Sequence, residues 1–426
     1  MYPLARIITF AVLLLASFSA LAQIQKPINS TLTLENGLDV PIQKFNARGT
    51  NLILWLPSEF GLRGPEQNTA RDLQNLGVAT WIVDLHTAYF EPVGRSSLQN
   101  MAVKDIAEII ELATKQHKTV YVLSAGRGAA LSLLGIRERQ IVKGSLAGVA
   151  GAILLYPNFA EGAPMPGENP RFVPITSHSN LPIYIFQPAQ AARYWQLNSL
   201  RKTLSKGGSP VYAQVLKNVR AGFDIHETHT SDETTTIKQL PKKIVSAIRI
   251  LSAHKTESFK AVAANQMLKG LDAGHLSTGL QSFPQRNNII PLHLPTLEGH
   301  WINLKDYKGK VVLLNFWASW CPACVKELPS LSRLQKRLSR DSFKILSINV
   351  AEPKATIKQF LQKVKVDFPV LIDPQGKTVK NWKLLAFPMS FVVDKSGRVR
   401  YGMYGALKWD SDEVVSQLKP LMREEP

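Results

Sequence analysis

The stretch NFWASWCPAC, residues 315–324, holds the two cysteines of this 426-residue chain, Cys321 and Cys324. The apolar run Val-Val-Leu-Leu at 311–314 precedes it and predicts a buried strand. Apolar residues at 325, 328, 331 and 334 follow it with the spacing of one helix face. A strand, a Cys-x-x-Cys pair and a helix in this order are the context in which such a pair indicates redox chemistry.

The position of each cysteine suggests a division of roles. Cys321 lies at the strand-to-helix junction in an N-cap-like position, and Pro322 suits the first helical turn. Free N–H groups and the helix dipole at such a position stabilise a thiolate, so we expect Cys321 to attack and Cys324, one turn later, to resolve. A purely structural disulfide across so short a loop would constrain little chain entropy, which favours redox function.

Several further motifs occur in a fixed order around the cysteine pair, and with it they resemble the exported thioredoxin-like proteins of the ResA and TlpA type, within the redoxin group. The stretches 294–299 and 302–310 are typical of an opening hairpin, and Val325–Pro329 follows the cysteines directly. The last two are 368–373 and 386–399, and the latter contains a proline loop. The resemblance covers about 290–424 and implies a domain over 290–426 with a thioredoxin fold and thiol:disulfide oxidoreductase activity.

The resemblance also implies a substrate surface beside the cysteines. It makes Pro388 a cis-proline whose loop lies next to the redox pair, where an extended substrate segment can bind. Phe387, which precedes it, and Trp320 would then contact the substrate. No cofactor is implied.

One acidic side chain is expected to assist the cysteines. Thioredoxin has a buried acid where this chain has Asn315, so that proton acceptor is missing. Glu327, three residues after Cys324, matches the acid of the ResA-like group and is our candidate for moving the proton of Cys324. Its alternative is an ordinary glutamate on the helix surface.

The resemblance favours a reductant of disulfide-containing exported proteins, with apocytochrome c as one possible substrate class. A membrane thiol-electron carrier of the DsbD type would recharge it. The sequence leaves a dithiol oxidase or isomerase open, because it gives no redox potential. A thiol peroxidase is disfavoured, since Leu314 and Ala318 replace the proline and the Thr/Ser of the peroxiredoxin pattern.

Residues 31–46 predict a hairpin with Asn36-Gly37 as its turn, and apolar strand-like runs then alternate with helix-like patterns, so that the predicted domain extends over 31–252. This order predicts an α/β domain built on a mostly parallel sheet. It resembles the α/β-hydrolase fold, most closely at Ser124-Ala125-Gly126-Arg127-Gly128, which matches the nucleophile elbow. Gly126 occupies the nucleophile position, so the hydrolase-like domain is expected to be non-catalytic.

Two other functions of this domain stay open. One is an active esterase with Ser124, Asp224 and His226 as a displaced triad, although three residue types do not establish a geometry. The other is a docking domain that binds partners for the cysteine pair. Asp84, at a strand end, is expected to cap a helix or lie in a loop.

The remaining predictions concern the N-terminal segment, the linker between the two domains and the net charge. Residues 1–22, with Arg6, the apolar run 7–15 and Ala20-Leu21-Ala22, predict a signal peptide cleaved after Ala22 and hence a periplasmic protein. Residues 253–289 predict a linker with one short helix around 257–269. The net charge of +19 divides into +1 from Arg6, +9 over 23–289 and +9 from 290 onward. This even spread argues against a nucleic-acid partner, and nine scattered His with two Cys give no metal-site spacing.

Overall fold

The computed structural model describes residues 26–162, 166–254, 279–283 and 290–425. The predicted signal peptide and most of the predicted linker, with its helix around 257–269, lie outside the described residues. Within the described ranges, no helix combines the length and apolarity that a membrane crossing requires. The predicted class is confirmed: a large, mostly parallel α/β sheet is followed by a separate thioredoxin fold.

An eight-stranded sheet forms the first part of the chain, in the spatial order β1-β2-β4-β3-β5-β6-β7-β8. The first three strands in this order pair antiparallel, and all later pairs are parallel. The strands are β1 Ile28–Thr33, β2 Asp39–Phe45, β3 Asn51–Trp55, β4 Ala79–Val83, β5 Thr119–Ala125, β6 Val149–Leu155, β7 Ile183–Gln190 and β8 Val211–Arg220. The predicted hairpin with its turn at Asn36-Gly37 is therefore present.

Helices cover both faces of this sheet, which explains why its central strands are apolar throughout. Successive residues of a strand point to opposite faces: Val120 and Val122 of β5 join one core layer, whereas Tyr121 and Leu123 join the other. The helices are α1 Pro65–Asn75, α2 Leu85–Ala88, α3 Val103–Gln116, α4 Gly128–Lys143, α5 Ile175–His178, α6 Leu197–Lys206 and α7 Ser231–Leu251. One layer packs beneath α3, α4 and α6, and the other beneath α1 and α7.

Helix α7 begins six residues before the Ile237 predicted from apolar periodicity, because polar capping contacts define its start. Glu233 N–H donates to Thr230 Oγ1 at 3.2 Å, and Thr230 N–H donates to Glu233 Oε2 at 3.0 Å. This reciprocal capping box satisfies two backbone donors that the helix leaves free. Arg220 Nε also donates to Glu233 Oε1 at 2.7 Å. Burial would raise the pKa of Glu233, but these hydrogen bonds outweigh it and lower the pKa to about 2.

The second part of the chain contains a six-stranded sheet in the order β14-β13-β12-β15-β16-β9 and a separate β10–β11 hairpin. Its strands are β9 Gln281–Ser282, β10 His293–Pro295, β11 Trp301–Asn303, β12 Val311–Trp317, β13 Phe343–Val350, β14 Val370–Asp373, β15 Met389–Val393 and β16 Val399–Tyr404. Its helices are α8 Pro322–Arg337, α9 Lys354–Lys363, α10 Lys377–Trp382 and α11 Asp412–Arg423. Strand β12 lies between a parallel and an antiparallel neighbour, and all seven of its residues are buried.

Strand β9 lies within the stretch that the sequence predicted to be a linker. Gln281 and Ser282 pair with Gly402 and Tyr401 of β16, so they extend the sheet at its edge. A strand of two residues is too short to produce an alternating pattern, so periodicity could not predict it.

Trp195 connects the two parts of the molecule. It belongs to the 3₁₀ turn Ala192–Gln196 and packs against the core of the thioredoxin fold. The ammonium group of Lys380 lies 5.2 Å from the centre of its ring. A side chain at Gly376 would collide with the same ring, so glycine permits this close approach.

Thr230→Ala should lower the free energy of unfolding by about 1 kcal/mol, because it removes the side-chain acceptor of the capping box. Urea unfolding followed by far-ultraviolet circular dichroism would measure the loss. Thr235→Ala is the matched control: Thr235 is exposed in the same helix, and alanine favours helix, so little loss is expected. Equal losses in both variants would contradict the assignment of this cap.

Candidate redox site

The cysteine pair lies at the start of α8, directly after the short loop that follows strand β12. Cys321 is the N-cap residue of this helix and Pro322 is its first residue, as predicted. Cys324 N–H donates to Cys321 Sγ at 3.2 Å. A sulfur at this position therefore receives a backbone donor and lies at the positive end of the helix dipole.

Cys321 and Cys324 form a disulfide, with their Cα atoms 5.3 Å apart. Cys321 retains 6% of its accessible surface, whereas Cys324 has no accessible surface. Pro322 and Ala323 between them are exposed. A partner can approach the pair only from the Cys321 side, because Cys324 is covered by the surrounding core.

The predicted substrate residues lie beside the disulfide. The Phe387–Pro388 peptide bond is cis, as predicted. The rings of Trp320 and Phe387 meet edge to face with centroids 5.8 Å apart, and both side chains pack against the core cluster that contains the cysteines. Trp320 and Phe387 are half-buried, so part of each ring remains accessible next to Cys321. The structure thus brings together residues that are more than sixty positions apart in sequence.

Glu327 is buried, with 2% of its surface accessible, so it is not a surface residue of the helix. Its Oε1 accepts a hydrogen bond from Asn315 Nδ2 at 2.7 Å, and its Oε2 accepts from Trp409 Nε1 at 3.2 Å and Leu407 N at 3.3 Å. Burial raises the pKa of Glu327 to about 7, although these three hydrogen bonds favour the charged form. A carboxyl with such a pKa can both accept and release a proton near neutral pH.

Asn315 links this carboxyl to the sheet. Its Nδ2 group donates to Glu327 Oε1 and, at 3.0 Å, to Ser390 Oγ on the neighbouring strand β15. Asn315 and Ser390 are directly opposite in the β12–β15 register. The amide therefore fixes one carboxylate oxygen of Glu327 relative to the sheet.

Glu352 is a site residue that the sequence analysis missed. It is buried just after β13, and its carboxylate accepts hydrogen bonds from Ser319 N at 2.6 Å, Ser319 Oγ at 2.5 Å and Asn349 Nδ2 at 2.7 Å. These contacts hold the loop that leads from β12 into Cys321. The sequence offered only a weak signal, a lone acidic residue at the end of a buried strand.

The turn at 124–128, whose sequence resembles a nucleophile elbow and which we call the elbow, forms no triad. Gly126 has φ = 54°, the left-handed conformation that favours glycine. Ser124 is fully buried and its Oγ has no hydrogen-bond partner. Asp224 Oδ1 accepts from the Tyr156 hydroxyl at 2.6 Å rather than from His226. The displaced triad is therefore wrong, because neither the acid–base contact nor an accessible nucleophile is present.

Three further observations concern Asp84, Asp224 and metal binding. Asp84 caps α2 by accepting a hydrogen bond from Thr87 N, as expected for a capping residue. Burial raises the pKa of Asp224 to about 6, which further separates this group from an ordinary ionised triad acid. Among the described residues, no cluster of three or more His, Cys, Asp or Glu side chains could hold a metal ion.

Residues 286–402 match the model of the AhpC/TSA family. Thiol-disulfide oxidoreductase ResA of Geobacillus kaustophilus (strain HTA426) is 34% identical over 128 residues, which are 30% of this chain and 74% of the relative. Thiol-disulfide oxidoreductase ResA of Bacillus subtilis (strain 168) is 31% identical over 121 residues, 28% of this chain and 68% of the relative.

Among solved structures, a thiol:disulfide interchange protein DsbE from Chlorobium tepidum is 28% identical, with a TM-score of 0.31, over 33% of this chain and 99% of its own. The sequence identity to the Geobacillus relative exceeds 30% across most of that protein's length. The chain therefore belongs to the family of ResA thiol-disulfide oxidoreductases.

Proposed function

We propose that this protein reduces disulfides in exported proteins, with Cys321 as the attacking thiolate and Cys324 as the resolving thiol. The observation that carries the proposal is the asymmetry of the pair. Cys321 lies at the helix N-terminus on the approachable side, and Cys324 lies beneath it in the core. A reductant of this kind needs one sulfur that meets the substrate and a second that is protected until the first has reacted.

The reaction balances without a bound cofactor. Cys321 thiolate attacks one sulfur of the substrate disulfide, which forms a mixed disulfide and releases the other substrate sulfur as a thiolate. Cys324, as its thiolate, then attacks Cys321 Sγ and releases the second substrate thiol. Two electrons pass from the cysteine pair to the substrate, and a membrane thiol-electron carrier of the DsbD type would return the pair to the dithiol state.

Glu327 is the proposed acceptor of the Cys324 proton. It lies one helical turn after Cys324, its carboxyl is buried, and its pKa of about 7 matches neutral conditions. Asn315 acts through Glu327 as a positioning residue, because its amide fixes one carboxylate oxygen.

Trp320, Phe387 and Pro388 form the proposed substrate surface. The two aromatic rings border the approach to Cys321, and a cis-proline loop next to a redox pair offers an edge for an extended substrate segment. The signal-peptide pattern over 1–22 supports a periplasmic location, where oxidised cysteine pairs occur. Apocytochrome c is one candidate substrate class, and oxidation or isomerisation is the alternative direction.

Cys324→Ala should accumulate mixed disulfides between Cys321 and target proteins in the cell that exports this protein, because the resolving thiol is absent. Non-reducing electrophoresis followed by mass spectrometry would identify the targets. Cys321→Ala is the matched control and should trap none. Wild-type protein recovered mainly as the dithiol would support a reductant, whereas recovery mainly as the disulfide would contradict that direction.

Glu327→Gln should slow the resolution of the mixed disulfide on the order of 100-fold near pH 7, because the proton acceptor is lost. In the wild type, this rate should rise with pH through about 7 as the carboxyl of Glu327 loses its proton. Rapid-quench measurement of the reduced protein reacting with oxidised glutathione would give both profiles.

Two further variants show whether a carboxylate is required. Glu327→Asp should recover part of the rate, and Glu298→Gln, at an exposed position, should behave as the wild type. The same pH profile in the wild type and Glu327→Gln would exclude Glu327 as the proton acceptor.

Glu352→Ala should loosen the loop before Cys321, since Ser319 N–H loses its charged acceptor. We expect amide exchange at Ser319 to accelerate roughly 10-fold or more, measured by hydrogen–deuterium exchange of the oxidised protein. Glu298→Ala should leave this exchange unchanged. Unaltered exchange in Glu352→Ala would show that other contacts hold the loop.

A further inference from the structure

A cavity of about 490 Å³ lies at the carboxyl ends of the strands of the large sheet, next to the elbow at Gly126 and apart from the cysteine pair. In open α/β sheets, this end is where ligands bind. Its volume falls in the range typical of small-molecule sites. The reaction proposed above does not use this cavity, and no triad occupies it, so its function requires a separate explanation.

The charge of this cavity is strongly unbalanced. The charged side chains that line it are Arg63, Arg95, Arg127, Arg193 and Glu59, four cations against one anion. Arg193 is half-buried, and its Nε lies in the interior without a hydrogen-bond partner. A buried guanidinium donor without a partner is costly, and an anion bound in the cavity would satisfy it. His226 also lines the cavity, but burial lowers its pKa and so favours the neutral imidazole.

Glu59 shows how an anion is accommodated here. Its carboxylate accepts a hydrogen bond from Arg127 N at 2.8 Å, at the N-terminal end of α4. A Cβ at position 126 would collide with this carboxylate, so the Glu59 side chain occupies the space that a nucleophile would need. The backbone N–H of Arg127 is thus already engaged by an internal carboxylate, while the guanidinium groups of Arg127 and Arg193 remain to receive an external one.

The thioredoxin fold closes one side of the cavity. Leu385, Ala386 and Tyr404 contribute to the lining. Ala386 immediately precedes Phe387 and Pro388, so the cavity wall continues directly into the proposed substrate surface. Arg193 itself lies in the 3₁₀ turn that carries Trp195, the residue that packs against the thioredoxin fold.

We propose that this cavity binds a small organic anion that carries a carboxylate or phosphate group, held by Arg193 and Arg127 between the two parts of the molecule. Arginine presents paired N–H donors that match both groups. The volume of about 490 Å³ favours a small molecule over a protein segment. The site is independent of the cysteine chemistry and would exist whether or not the protein acts as a reductant.

Isothermal titration of the full mature chain with inorganic phosphate and, separately, with succinate tests the proposal and distinguishes the two groups. Ionic strength is held constant with sodium chloride, because non-specific binding to a basic surface is screened by salt. We expect saturable one-to-one binding of at least one probe. Absence of saturable binding of both probes up to roughly 10 mM, well above a weak Kd of about 1 mM, would overturn the proposal.

Substitutions locate the binding and fix the sign of the charge. Arg193→Gln should weaken binding by about 10-fold or more, since a charged hydrogen bond is lost, and Arg127→Gln provides the same test if the first variant does not fold. Arg201→Gln, at an exposed position in α6, should leave the affinity unchanged. Glu59→Gln should tighten binding by roughly 3-fold or more, because it removes the competing negative charge. Equal affinities of the wild type and Arg193→Gln, or weaker binding in Glu59→Gln, would exclude this site.

Discussion

The register of β12 between β13 and β15 is the constraint on which the redox site depends. Asn315 lies opposite Ser390 on one side, and Trp317 lies opposite Asn349 on the other. A slip of one residue would turn every side chain of β12 to the other face. Such a slip is prevented because the strand is buried on both faces, with alternate residues committed to two different cores. The same register fixes where β12 ends, and hence where Cys321 caps the helix that follows.

Buried carboxylates recur at the functional ends of both sheets, and hydrogen bonding decides what each can do. Glu352 accepts three strong hydrogen bonds and holds a loop. Glu327 also accepts three, but burial prevails and its pKa rises to about 7, which suits proton exchange. Glu59 occupies the elbow and receives the backbone donor there. An ionised carboxylate removed from water without such donors would be too costly to retain.

The two parts of the molecule are in contact beside the basic cavity and near the cysteine pair. The turn Ala192–Gln196 places Arg193 in the basic cavity and Trp195 against the thioredoxin fold. The loop 385–388 contributes to the cavity wall at one end and to the redox surface at the other.

The sequence by itself determined the local features. Apolar alternation and helix periodicity identified most strands and helices of both parts, and the ordered motifs around Cys321 and Cys324 identified the thioredoxin fold, because these signals depend only on neighbours along the chain. The glycine at position 126 likewise revealed a turn without a nucleophile. Only the tertiary structure decided which distant groups meet: Glu352 on Ser319, Asn315 on Glu327, Asp224 on Tyr156, and four arginines around one cavity. Such contacts arise from strand register and from the packing of one part against the other, and neither leaves a pattern in adjacent residues.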